Sequence, residues 1–172
     1  ARRTESHLRQ PLEAARARVN GLETEARTIA RILASTTTGD FPPVAEELSV
    51  DRGYETALGA ALGDALDSAL DPQAPAHWHG NGDGAGDPAL PSGARPLIAH
   101  VRAPAALTRA LRQIGVVEEA EALALMSKLA PGQRLVTLNG AVYRWDGHVT
   151  GADAPSAAAL RLAQKNRLAE IE

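Results

Sequence analysis

Two histidines and two aspartates, His77, His79, Asp83 and Asp87, come nearest to metal-ligand spacing in this 172-residue chain. In an extended segment residues i and i+2 project to the same side, so both imidazoles can meet one ion. The segment carrying them, residues 77–92, is rich in Gly, Asp and Pro, and such a loop preorganises ligands poorly. It reads as an irregular surface loop, with no metal. The other histidines, His7, His100 and His148, are scattered. The run Gly80-Asn81-Gly82-Asp83-Gly84 lacks the preceding strand and basic helix start of a phosphate-cradling loop. It also lacks the alternating oxygen ligands and closing Glu of a calcium loop. No serine lies in Gly-x-Ser-x-Gly or pairs recognisably with a histidine. With no cysteine there is no disulfide framework, iron–sulfur cluster, Cys-based zinc site or cysteine nucleophile. Fifteen acidic residues lie between 36 and 153, and their spacing selects no acid–base pair. Nothing in these residues asks for an enzyme.

Charge is unevenly spread. Residues 1–35 hold seven Arg and four Glu, a net +3, residues 36–153 are −7, and residues 154–172 are +1, which recovers the overall −3. Basic ends therefore flank an acidic middle. Arg27, Arg31, Arg161, Lys165 and Arg167 would converge where two terminal helices meet a globular part. Cations so placed can neutralise DNA phosphates, with an affinity that falls steeply in salt. The alternative is a solvated helical surface making intrahelical pairs such as Glu23 with Arg27.

The elements that must position these groups are legible in outline. The chain has room for one domain and, at 44% hydrophobic residues, is too apolar to be disordered. No run approaches the roughly 18 uncharged apolar residues of a membrane span. The opening Ala-Arg-Arg-Thr-Glu-Ser has neither a starting Met nor an apolar core after it, and reads as a cut inside a longer protein. Leu8, Leu12, Ala15, Val19, Leu22, Ala26, Ile29 and Leu33 are spaced alternately four and three apart, the a/d seam of a coiled coil, over residues 1–35. Pro11 and Gly21 weaken that helix, and Pro11 marks a possible kink or start. Asp153-Ala154-Pro155 reads as the start of a returning helix over 154–172, with a seam of Leu160, Gln164, Leu168 and Ile171. The two would form an antiparallel pair with residues 36–153 at its tip.

In that middle part, Val44 to Val50 reads as a helical turn running into a strand. Arg52 to Leu62 reads as a helix ended by Gly63, Ala65 to Leu70 as a strand, and Pro96 to Val101 as another. Helices are expected at Pro104 to Ile114 and Glu118 to Leu129, with a short strand at Val116-Val117. Arg134 to Leu138 and Ala141 to Trp145 flank Asn139-Gly140, the strongest short hairpin signal in the chain, and Gly147 to Gly151 carries a last extended piece. This alternation predicts an α/β domain with small sheets.

Two stretches carry a family resemblance. Pro43 to Leu66, with Gly53-Tyr54-Glu55, Ala57 and Ala61-Leu62-Gly63, resembles the opening of the hinge domain of SMC (structural maintenance of chromosomes) proteins. Arg134 to Gly151, with Val136-Thr137 and the Gly147-His148-Val149-Thr150-Gly151 ending, resembles that hinge's closing segment. The likeness is nearest to bacterial SMC and covers the chain outside loop 77–95. It implies an α/β hinge of two small mixed-sheet subdomains flanked by an antiparallel coiled-coil pair.

The resemblance further implies a hinge that pairs with a second copy of itself, edge to edge, at one end of a long coiled-coil arm. The absent heads would form an ATPase with ATP and Mg, bridged by a kleisin-type subunit. The assembly would entrap DNA and compact the chromosome, in the cytoplasm at the nucleoid. Gly140, Gly147 and Gly151 occupy the positions carried over to the dimer interface, where a missing side chain lets strand edges approach. The Asn139-Gly140 turn alone already accounts for Gly140. Two departures stand out: the family's Gly-Gly pair is Gly151-Ala152 in this chain, and loop 77–95 lacks the regular connection usual between subdomains. The alternative is a coiled-coil-flanked adaptor that binds another partner or serves DNA repair. The absence of cysteine argues against a Cys-x-x-Cys zinc hook, and formation of a closed ring by two copies would separate the rest.

Overall fold

The computed structural model describes residues 2–36, 40–152 and 157–172, with side chains from residue 10 onward in the first stretch and up to residue 34. The first helix, α1 (Arg2–Thr36), runs unbroken through Pro11, so the proline starts no new element. The other elements are β1 (Ser49–Val50), α2 (Glu55–Leu62), β2 (Arg95–Pro96), β3 (Val101–Arg102), α3 (Ala105–Arg112), β4 (Ile114–Val116), α4 (Glu119–Met126), β5 (Arg134–Val136), β6 (Val142–Arg144), β7 (Val149–Thr150) and α5 (Ala157–Ile171). The proposed helix start at Asp153-Ala154-Pro155 lies outside the described residues.

Two sheets result. β1 pairs antiparallel with β3, and five strands run in the order β2-β4-β5-β6-β7. β4 and β5 are parallel, as the intervening α4 allows, and the remaining pairs of the larger sheet are antiparallel. Alternation along β5 and β6 builds two cores. Val136 and Val142 face the main cluster, with Leu58 and Leu66, Leu107 and Leu111 of α3, and Val50 and Val101 of the small sheet. Leu135, Ala141 and Tyr143 face the other way, against Ala122 and Leu125 of α4. The mixed α/β architecture read from the sequence is present.

Two expected strands are replaced. Gly63 ends α2 at φ +52°, and the chain enters a 3-10 helix over Gly63–Asp67 instead of a strand. Leu66 is thereby buried, and only Ala69 bridges to Pro43 and His77. Pro96 to Val101 likewise is not one strand: a 3-10 turn over Leu97–His100 separates β2 from β3 and hands the chain from the large sheet to the small one.

The returning helix departs from its expected seam at one end. Leu160 is 61% exposed, whereas Ala158, Ala159 and Leu162 are buried and Gln164, Leu168 and Ile171 of the expected seam are half-buried. Ala158 and Leu162 belong to the main core, so α5 packs on the globular part as well as on α1. In α1 the seam is buried at Ile29 and partly covered at Leu22, Ala26 and Leu33, while Leu12 and Val19, beyond the reach of α5, are exposed.

Candidate functional site

Small residues let α5 sit close on α2. A Cβ added to Gly59 would lie 2.5 Å from the backbone N and Cα of Ala159, so no larger residue fits the crossing. Six residues further on, the Lys165 ammonium donates to three backbone carbonyls: Ala45 at 3.0 Å, Glu46 at 2.5 Å and Leu48 at 2.8 Å. These include acceptors left over by the 3-10 turn at Val44–Glu46. Burial pushes the Lys165 amine below its ordinary value, and the charge of Glu46 works the other way. Asn166 donates to the Val50 carbonyl at 3.0 Å and to Glu55 at 2.7 Å. Three residues of α5 thus lock it to α2, the 3-10 turn and β1.

The pairing with α1 is antiparallel. Arg167 holds Glu25 through Nε at 2.7 Å and Nη2 at 3.0 Å, while Arg161 and Leu162 share a groove with Leu33 and Ala34. Arg167, by hydrogen bonding first and charge second, keeps the Glu25 carboxyl below the usual carboxylate range. Arg161 pairs with Asp67 at 2.6 Å.

This geometry redistributes the five cations assigned to a DNA surface. Arg161, Lys165 and Arg167 are engaged inside the protein, on a carboxylate, on carbonyls and on another carboxylate. Arg27 is exposed, its Nε 3.3 Å from its own helix at the Glu23 carbonyl, and Arg31 is exposed on the same helix. The charge pattern groups the five but carries no sign of the acceptors, which come from residues 25, 45, 46, 48 and 67.

The three glycines separate as well. Gly140 is buried at φ +95°, its N–H donating to the Thr137 carbonyl at 3.0 Å, and an added Cβ would meet the Thr56 methyl of α2 at 2.9 Å. It faces its own chain. Gly147 closes the β6–β7 turn at φ +92° in open space, and Gly151, directly after β7, also has open space around it.

These last two flank an open strand edge. β7 pairs with β6 on one side and with no described strand on the other. Arg144 N–H donates to the His148 carbonyl at 2.9 Å, which makes Val149 opposite Tyr143 the non-bonded position, with its own N–H and C=O turned to the free edge. Val149 is 45% exposed and Trp145, in the adjacent turn, 47%. The opposite edge of the sheet is different: β2 ends in Pro96, which has no N–H to offer.

Loop 77–95 has no strand or helix until β2, yet it is pinned. Arg109 of α3 holds Asp87 through Nε at 2.7 Å and Nη2 at 2.6 Å, and donates to the Asn81 carbonyl. Arg112 reaches the Asp83 carbonyl at 2.9 Å. Buried Gln133, which sequence reasoning passed over, donates to the Pro88 and Ala89 carbonyls and to Gln113. The rings of His77 and His79 are 6.1 Å apart, edge to face, and Asp87 is already taken by Arg109. Among the described residues no three His, Asp or Glu side chains gather as a metal site would require.

A two-sheet α/β body carrying a helix that leaves and a helix that returns, with an open edge at β7 among the described strands, defines a hinge-type domain on a coiled-coil stem. The family model described as the SMC proteins Flexible Hinge Domain matches residues 37–79. The Chromosome partition protein Smc of Rhodopseudomonas palustris is 49% identical over all 172 residues, and that of Cereibacter sphaeroides 44% identical over 129 residues, 74% of this chain. A crystal structure of an asymmetric dimer of the Geobacillus stearothermophilus SMC hinge domain superposes with a TM-score of 0.66 at 19% identity, covering 93% of this chain and 83% of that one. The chain belongs to the SMC hinge family. It spans 15% of the length of the Rhodopseudomonas relative and 11% of the Cereibacter one.

Proposed function

We propose that this domain is the homodimerisation hinge of a chromosome-organising SMC ATPase, joining two copies so that their arms form the V that entraps DNA. The observation that carries the reading is the free β7 edge, with outward Val149 backbone groups between Gly147 and Gly151. An unpaired edge is a template for another strand, and pairing with a second copy satisfies it in a closed, two-fold assembly. The Geobacillus hinge, similar in fold, is a dimer in its crystal. ATP and Mg would be bound by heads outside this domain, a kleisin-type subunit would bridge those heads, and the whole would work in the cytoplasm at the nucleoid. No helix among the described residues is long and apolar enough to cross a membrane. The domain itself has no catalytic role in this reading.

DNA contact at the hinge–coil junction then rests on Arg27 and Arg31, the exposed members of the original five that lie on α1. Reversing both to Glu lowers affinity for DNA at low salt without unfolding the domain, while Lys165→Glu destabilises the fold.

Light scattering at micromolar concentration tests the dimer. The domain is expected at twice its monomer mass, and Val149→Lys or Val149→Pro, which charges or blocks the edge, at the monomer mass with unaltered circular dichroism. A monomeric parent domain rejects the reading, and a dimer that ignores both variants moves the interface elsewhere.

A further inference from the structure

Beside the free edge, between the end of α2 and strands β5 to β7, lies a small basic cleft. Arg134 of β5 and Arg144 of β6 stand directly opposite in antiparallel register, so their side chains rise from the same face of the sheet. Like charges in that relation repel. The Arg134 Nη1 donates to the Ala61 carbonyl near the end of α2 at 2.7 Å, and burial together with the charge of Arg144 pushes its guanidinium below the ordinary value. Asp146 reaches Arg144 at 2.6 Å, leaving two guanidiniums to one carboxylate. His148 and Thr150 form the β6–β7 side of the cleft, and Gly59, Ala60 and Gly63 line its helix side, where Gly63 has open space around it. Its volume is about 240 Å³, and none of its lining residues is acidic. In a segment of net charge −7 this is a local reversal of sign, built by strand register and not by chance clustering on a helix surface.

We propose that this cleft binds a phosphate-type oxyanion, carried by a nucleic-acid strand or free in solution, between Arg134 and Arg144. A guanidinium pair offers two forks of fixed N–H donors that match tetrahedral oxyanions, and an anion between them removes the mutual repulsion. The His148 ring and Thr150 hydroxyl supply further donors at the rim. Arg134, steadied by the Ala61 carbonyl, is the fixed half of the pair, and the more exposed Arg144 is the adjustable half.

The Nε–H signals of the arginines in a nitrogen-15 spectrum of the intact domain test this directly, with inorganic phosphate and a short DNA oligonucleotide as separate probes. Shifts of Arg134 and Arg144 with both probes, with phosphate displaced by the oligonucleotide, assign the site to a nucleic-acid backbone. Shifts with phosphate alone assign it to a free anion. No shift at either arginine with either probe overturns the proposal. Arg144→Gln with His148→Ala, both at exposed positions, is expected to weaken binding of the probe that shifts the signals about tenfold, and for DNA to reduce the salt dependence by about one unit of slope per lost contact. Unchanged affinity in that variant, with its melting curve intact, also overturns it. Arg27→Glu with Arg31→Glu leaves the phosphate response in place, and light scattering of each variant separates loss of the cleft from loss of the dimer.

Discussion

At the scale of single residues, the attachment of α5 depends on what is missing at position 59 and what is long enough at position 165. Gly59→Ala illustrates the balance. Alanine improves helix propensity by about 1 kcal/mol over glycine in a helix interior. Its methyl would stand 2.5 Å from backbone atoms of Ala159, which cannot rotate away as a side chain would. Overpacking of this kind costs about 1–3 kcal/mol, so a lower melting temperature is expected, and an unchanged or higher one would show that the two helices separate freely. Lys165 shows the limit of reading residues by charge. Its position at the basic end of the chain made it a candidate for phosphate, yet its three acceptors are backbone carbonyls more than a hundred positions away in sequence. Backbone acceptors leave no trace in residue type. By contrast, the Asn139-Gly140 turn was fully legible, because φ +95° at Gly140 is a local requirement that one residue satisfies.

At the scale of elements, helices with local start and stop signals were readable and elements defined by a distant partner were not. α2, α3 and α4 fall inside their expected ranges. The seam of α5 was legible only in part, since the heptad argument assumed α1 as its sole partner, whereas its most buried face, Ala158, Ala159 and Leu162, packs on the body and includes alanines whose hydrophobic signal is weak. Loop 77–95 reads as irregular in sequence and is irregular, but its order comes from arginines on α3. The Arg109 guanidinium, by hydrogen bond first and charge second, holds the Asp87 carboxyl below the usual aspartate range. A carboxyl depressed in the folded state contributes its stabilisation above the unfolded value and loses it as pH falls through the folded one. Amide protection factors across residues 81–88, corrected for the intrinsic pH dependence of exchange, are therefore expected to fall on acidification below the ordinary aspartate range, and at neutral pH in Asp87→Asn. Equal exchange in the variant and the parent would mean that Gln133 and Arg112 hold the loop unaided.

For the molecule as a whole, the direction in which the stem leaves the hinge is set through α5. α1 touches the body chiefly by riding on that helix, through the Glu25–Arg167 pair and the seam from Leu22 to Leu33, whereas α5 is bound to α2, the 3-10 turn and β1 together. In a dimer, two such stems point where two copies of this attachment aim them, so the spread of angles between the arms measures how firmly Lys165 and its neighbours hold. The chain has no cysteine, so Arg18→Cys on the exposed part of α1 gives one spin label per copy without further changes. Pulsed electron resonance on the labelled dimer is expected to show a narrow distance distribution. Lys165→Met, which keeps the aliphatic reach and removes all three donors, is expected to broaden it while the mass stays dimeric, because the strand edge at β7 is untouched. The charge partners at Glu25 and Asp67 remain in that variant, so its broadening isolates the carbonyl contacts. A distribution as narrow as the parent's would place the stiffness of the stem in the helix crossing at Gly59 and Ala159 instead.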